Sequence, residues 1–138
     1  MNPVDLAPEF SFLIDEGFLP VSKAYRPQEF GNASIILEGP AFSLRLLRDR
    51  NDVSVDIGND SLGWYKFEYV LEFIDPSITQ SKLGEPPDLG AMAALLRQKR
   101  DHLTKLFNDR KQLADLKRFI KQKSAELVAK IFPSHKVR

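Results

Sequence analysis

Between Asp52 and Ile57 the chain alternates strictly, with Val53, Val55 and Ile57 set against Asp52, Ser54 and Asp56. Period two with β-branched residues on one side is what a strand with one dry face requires. Just upstream, Phe42, Leu44 and Leu46 alternate with Ser43 and Arg45 in the same way. The link Arg48-Asp49-Arg50-Asn51-Asp52 is polar, and Asn51 tolerates a left-handed backbone, so the two segments are predicted to form a hairpin. Gly39-Pro40 marks off a further strand over Ser34–Glu38, built on Ile35, Ile36 and Leu37. Three antiparallel strands within Gly31–Asp60 thus form the predicted structural centre. Pairing the last two sets Ser43 and Arg45 opposite Ser54 and Asp56 on the wet face, where opposite charges contribute ~0.2–1 kcal/mol. Val21–Arg26 is a weaker strand candidate, ended by Pro27.

The rest of the pattern is helical. Phe10, Leu13 and Ile14 share a face of a helix predicted over residues 5–16, capped by Asp5, tolerant of Pro8 in its first turn and stopped at Gly17. Leu62–Asp75 fits two templates: Tyr65, Phe67, Tyr69, Leu71 and Phe73 alternate, while Phe67, Val70, Leu71 and Ile74 make a helical stripe. The reading adopted is an extended start at Gly63–Tyr65 passing into a helix from about Phe67 to Ile74, stopped by Asp75-Pro76. Residues 75–87 hold three prolines and a glycine and read as a loop. Asp88 caps a helix whose stripe is Leu89, Met92, Leu96, Leu103 and Leu106 or Phe107. The stripe continues over 109–132 through Leu113, Leu116, Ile120, Leu127 and Ile131. Leu106, Leu113, Ile120 and Leu127 fall seven apart and fit one continuous helix, but Asn108-Asp109, with Gln112 placed for a capping box, favours a kink or break. The chain therefore reads as a single α+β domain over 1–138: an antiparallel meander with an N-terminal helix, a short helix after it, long C-terminal helices packed on the sheet, and a basic tail from Pro133.

Composition changes this picture little. The chain has no cysteine, two histidines (His102 and His135) and 43% hydrophobic residues. No apolar run nears the roughly 20 residues that span a bilayer, so no membrane association is expected. The N-terminus lacks a basic region followed by an apolar core, which makes the cytoplasm the expected compartment. Charge is another matter. Residues 1–96 carry 7 Lys/Arg against 15 Asp/Glu, and residues 97–138 carry 13 against 4, so a net charge of +1 conceals −8 and +9. A split of that size bears on partners rather than on fold.

Catalytic and metal chemistry finds no foothold. His102 has no histidine at i+4 and His135 lies in the tail, so neither belongs to a ligand set. No nucleophile motif occurs. The glycines of Gly58-Asn59-Asp60-Ser61-Leu62-Gly63 suit a phosphate loop, but Asp60 opposes an anion. A carboxylate pair drawn from Asp49, Asp52, Asp56 and Asp60 reads as solvated turn acids, and no cofactor is expected. Trp64 reads as a core or rim anchor. Asp52 and Asp56 project from one side of their strand with Asp49 at the adjoining turn and Glu38 able to extend the surface, so these acids are the candidate protein-binding site. The cations of the helical third, among them Arg97, Arg100, Lys117 and Lys121, are the candidate site for the alternative partner, nucleic acid, through neutralised phosphates and salt-dependent affinity.

The segments F-S-F-L-I-D-E-G-F (Phe10–Phe18), L-L-R-D-R-N-D-V-S-V-D-I (Leu46–Ile57) and the Trp64-Tyr65 pair followed by V-L-E-F-I (Val70–Ile74) resemble a loosely defined group of small bacterial proteins found among polymorphic-toxin immunity proteins and uncharacterised relatives. Asn51 stands where such hairpins often carry glycine. The resemblance implies a cytoplasmic, non-enzymatic α+β protein that binds a toxin domain and blocks it by occlusion. An acidic first part would steer a basic partner of that kind.

Overall fold

The computed structural model describes residues 8–26, 32–49, 52–84 and 87–131. Five strands follow one another both along the chain and across the sheet: β1 (Leu19–Arg26), β2 (Asn32–Glu38), β3 (Ser43–Asp49), β4 (Asp52–Asn59) and β5 (Gly63–Lys66). Each is antiparallel to the next. A 3-10 turn (Pro8–Phe10) and the one-turn helix α1 (Phe12–Asp15) precede the sheet. The helices α2 (Phe67–Ile74), α3 (Gln80–Leu83), α4 (Leu89–Phe107) and α5 (Arg110–Ile131) follow it. The architecture is α+β, as the sequence pattern predicts, and the weak candidate at Val21–Arg26 is a full strand with a bulge between Pro20 and Ser22. Among the described residues, no helix is long and apolar enough to cross a membrane.

Strand alternation divides the sheet into two faces. Ile35, Leu37, Leu44, Leu46, Val55 and Ile57 point inward and are buried. They share one core with Phe10 and Leu13 ahead of the sheet, Phe67, Val70 and Leu71 of α2, Leu96, Leu103 and Leu106 of α4, and Leu116 of α5. Tilted aromatic contacts link Phe18 to Phe42 at 5.7 Å, Phe42 to Phe107 at 5.8 Å and Phe107 to Tyr65 at 6.4 Å between centroids. Those spacings lie in the favourable range for edge-to-face rings, and the chain of contacts ties the ends of four elements together.

Local chemistry explains where the elements stop. After α1 the Phe18 amide donates to the Leu13 carbonyl at 2.9 Å and the Gly17 amide to Ile14 at 3.2 Å, with Gly17 at φ +98°. That is a Schellman cap, in which glycine takes the left-handed position at no steric cost. Asp88 accepts the Ala91 amide at 3.0 Å and so caps α4. The long helical region breaks at Asn108. Asp109 Oδ1 accepts the amides of Lys111 at 2.9 Å and Gln112 at 3.2 Å, while Gln112 Nε2 donates to Oδ2. Two helices joined at Asn108 and Asp109 thus replace the single rod that the seven-residue spacing also fitted.

Four expectations need correcting. The helix predicted over 5–16 is, where described, a 3-10 turn and one helical turn separated at Ser11; Asp5 lies outside the described residues, as do Asn51 at the hairpin turn and His135 in the tail. The loop predicted over 75–87 contains α3, and it buries Ile78 and Leu83 against the core. Ser43 faces Gly58 rather than Ser54, and it is 4% exposed rather than wet. The inward rows Leu44–Ile57 and Leu46–Val55 fix the register, leaving Ser43 as a short side chain between Glu38 and Gly58. Lastly, the stripe on α5 outruns the core: Leu113 and Leu116 are buried, but Leu127, Val128 and Ile131 are 47%, 51% and 57% exposed.

Candidate functional site

The outward side chains of the sheet fall into rows set by the strand register. One row is Ile36–Arg45–Asp56–Lys66, the next toward the β5 end is Glu38–Ser43–Gly58–Trp64, and on the other side lies Ser34–Leu47–Ser54. Ile36, Leu47 and Trp64 are half-buried and stand outside the core that gathers the helices. Among the described residues the helices cover one face of the sheet, and the other presents Ile36, Leu47 and Trp64 among charged and polar side chains held by the strand ladder.

Arg45 of the central strand β3 and Trp64 of the edge strand β5 meet on that face. Both Nη2 and Nε of Arg45 donate to Asp56 Oδ2, at 2.8 and 3.2 Å. The guanidinium carbon lies 4.8 Å from the centroid of the Trp64 ring. On its other edge the indole Nε1–H donates to Asp60 Oδ1 at 3.1 Å. Stacked and hydrogen-bonded at once, the indole has one orientation, which is how aromatic anchors of interfaces are presented.

The turn that supplies Asp60 is itself braced. Asn59 Oδ1 accepts the amides of Ser61 at 3.0 Å and Leu62 at 2.8 Å, and the Tyr65 hydroxyl donates to the Leu62 carbonyl at 2.6 Å. Burial raises the pKa of that phenol. Gly58 enters the turn at φ +143°, where a Cβ would overlap the Gly63 carbonyl. The six residues that suggested a phosphate loop instead hold an acid against tryptophan.

The three candidate acids are not equivalent. Asp49 and Asp52 are exposed and lie directly across from each other where the β3–β4 hairpin closes. Like charges in that position repel. Asp56 is committed to Arg45, with its side chain 16% exposed. Glu38 does not extend the acidic tip. It pairs with Ser43 at the opposite end of β3, some six residues or about 20 Å along the strand from Asp49.

The candidate cations are not gathered either. Arg97 lies 4.2 Å over Phe12, Arg100 pairs with Glu16 and lies 5.1 Å over Phe18, and Lys117 and Lys121 are exposed along α5. Lys99 reaches Asp75 at 3.1 Å, and Lys123 pairs with Glu72. Three ion pairs thus join the basic helices to the acidic first part of the chain, so part of the charge split is met inside the molecule. Hydrogen bonds from the Ser77 hydroxyl, Lys99 and the Ser77 amide hold Asp75 down at about 2. The bond to Glu72 raises Lys123. Among the described residues, no group of three or more His, Asp or Glu side chains converges as a metal site would require. What the outer face carries is an oriented aromatic side chain among paired and exposed charges. Comparison of the chain with protein-family models, curated proteins and solved structures gives no match.

Proposed function

We propose that this protein is a non-catalytic protein-binding module that acts by occlusion, in the manner of immunity proteins. The observation that carries the reading is the outer sheet face, with Trp64 fixed between Arg45 and Asp60, and with Ile36 and Leu47 farther across the same face. A rigid sheet face with a pre-oriented tryptophan loses little side-chain entropy on binding. The exposed acids Asp49 and Asp52 at its end would speed the approach of a basic surface such as a toxin's active site. Asp56 serves the platform by positioning Arg45.

The test begins with the partner recovered from the native host and measures association rates at low and moderate ionic strength. Reversal of both acids (Asp49→Lys with Asp52→Lys) should slow association, more so at low salt, with the melting temperature nearly unchanged. Trp64→Ala should raise the dissociation rate instead, since anchors act mainly after encounter. Wild-type rates in both variants would place the interface elsewhere.

A further inference from the structure

β5 pairs only with Asp56–Asn59 of β4. The first half of β4, Asp52–Val55, therefore has β3 on one side and, among the described residues, no strand on the other. The reason lies in the sequence after Lys66. Phe67, Val70 and Leu71 need the core, so the chain turns inward into α2 rather than running on beside β4. In an antiparallel sheet alternate residues aim both backbone groups at each neighbour, so among the described residues this half-strand has no strand to receive the groups that it aims away from β3.

A cleft of about 200 Å³ lies along that edge. Leu47, Val53, Val55 and Met92 supply its apolar part, and Pro87, Glu68 and Asp52 line it further. No ion pair engages Asp49, Asp52 or Glu68 among the described residues. Neighbouring edges differ from this one: β1 carries a bulge and a proline near its start, and β5 is four residues long.

We propose that the open half-edge Asp52–Val55 is a docking slot for an extended basic segment of the partner, added to the sheet as a short strand in line with β5. The proposal rests on the protein-binding reading and names the form of the partner. Four residues of strand span about 14 Å. Main-chain hydrogen bonds would hold the segment, and alternate side chains would divide between the two surroundings. Inward positions meet Val53, Val55 and Met92 and take valine, isoleucine or leucine. Outward positions meet Asp52, with Asp49 and Glu68 nearby, and take lysine or arginine. The same carboxylates repel the identical acidic half-edge of a second copy.

The probe is a panel of capped peptides alternating lysine with valine, isoleucine or leucine, read by fluorescence anisotropy at low salt and by amide hydrogen exchange. Binding should slow exchange at outward-facing amides within Asp52–Val55. N-methylation of every second peptide amide, in the phase that removes the inward donors, should weaken it by roughly tenfold or more. Glu68→Gln, which keeps the side chain's shape, should weaken it several-fold with an unchanged melt. Equal binding of plain and methylated peptides, protection confined to other strands, or no binding by any member of the panel would each overturn the slot. If the slot fails while Trp64→Ala and the paired acid reversal still change partner kinetics, the protein-binding reading stands. If those also leave the kinetics unchanged, both fall.

Discussion

Asp56 and Asp52 have the same side chain on the same strand face, two pleats apart, yet their surroundings separate them. Asp56 accepts two charge-assisted hydrogen bonds from Arg45 in a half-buried position. Asp56→Lys should therefore cost about 1–3 kcal/mol, the worth of bonds to charged groups, and free the guanidinium from its place over Trp64. Asp49→Lys should instead be neutral or stabilising by up to about 1 kcal/mol, because it turns a repulsive cross-strand pair into an attractive one. Chemical denaturation of the two variants checks both signs. Gly58→Ala should be worse than either, because the new methyl meets the Gly63 carbonyl, which is backbone and cannot swing aside. The acids were visible in the sequence as a patterned set, but their division was not. It depends on which residue of β3 lies across from each, and an alternating pattern gives the face of a strand without its register.

At the scale of elements, periodicity was most informative where one face is buried. β4 and the passage from β5 into α2 are legible because Val55, Ile57, Phe67, Val70 and Leu71 all meet the core. Val55→Asp should accordingly abolish folding, since an unpaired carboxylate placed there costs as much as a small domain's net stability; an unchanged circular-dichroism melt would contradict it. The same periodicity misled on α5. Its apolar repeat runs on to Ile131, but the core ends near Ile120, so pattern alone reported a stripe without its covering. Leu116→Ala should cost about 2–5 kcal/mol, whereas Leu127→Ala should cost well under 1 kcal/mol. α3 escaped notice for the opposite reason: one helical turn carrying the buried Leu83, with Ile78 buried just ahead of it, is too short to show a period. The Trp64 site was hidden in a different way. Trp64 itself was plain as an anchor, but its partners Arg45 and Asp60 come from another strand and from a turn.

For the whole molecule, the charge split that looked like a message to partners is partly a clasp. Lys99 with Asp75, Lys123 with Glu72 and Arg100 with Glu16 fasten the two long helices to what precedes them. Asp75 makes one end of the clasp sensitive to acid. Its pKa falls from 3.8 to about 2 on folding, so the stability it lends is full above the unfolded value and is lost as pH drops through that interval. Asp75→Asn should remove this part of the acid dependence, measurable as a flatter melting temperature against pH between about 4 and 2. The sheet, by contrast, needs no such reach, for every strand pairs with its neighbour in sequence. Such local closure has a consequence for the order of events as the chain leaves a ribosome. The meander can pair as soon as its last strand emerges, because each hairpin closes a short loop. Its inward rows then face water until the residues of α4 and α5 have been synthesised. During that interval the nascent protein is half a sandwich with a sticky side, and a pause in translation after the meander has emerged, with the long helices still inside the ribosome, would prolong the danger of aggregation most.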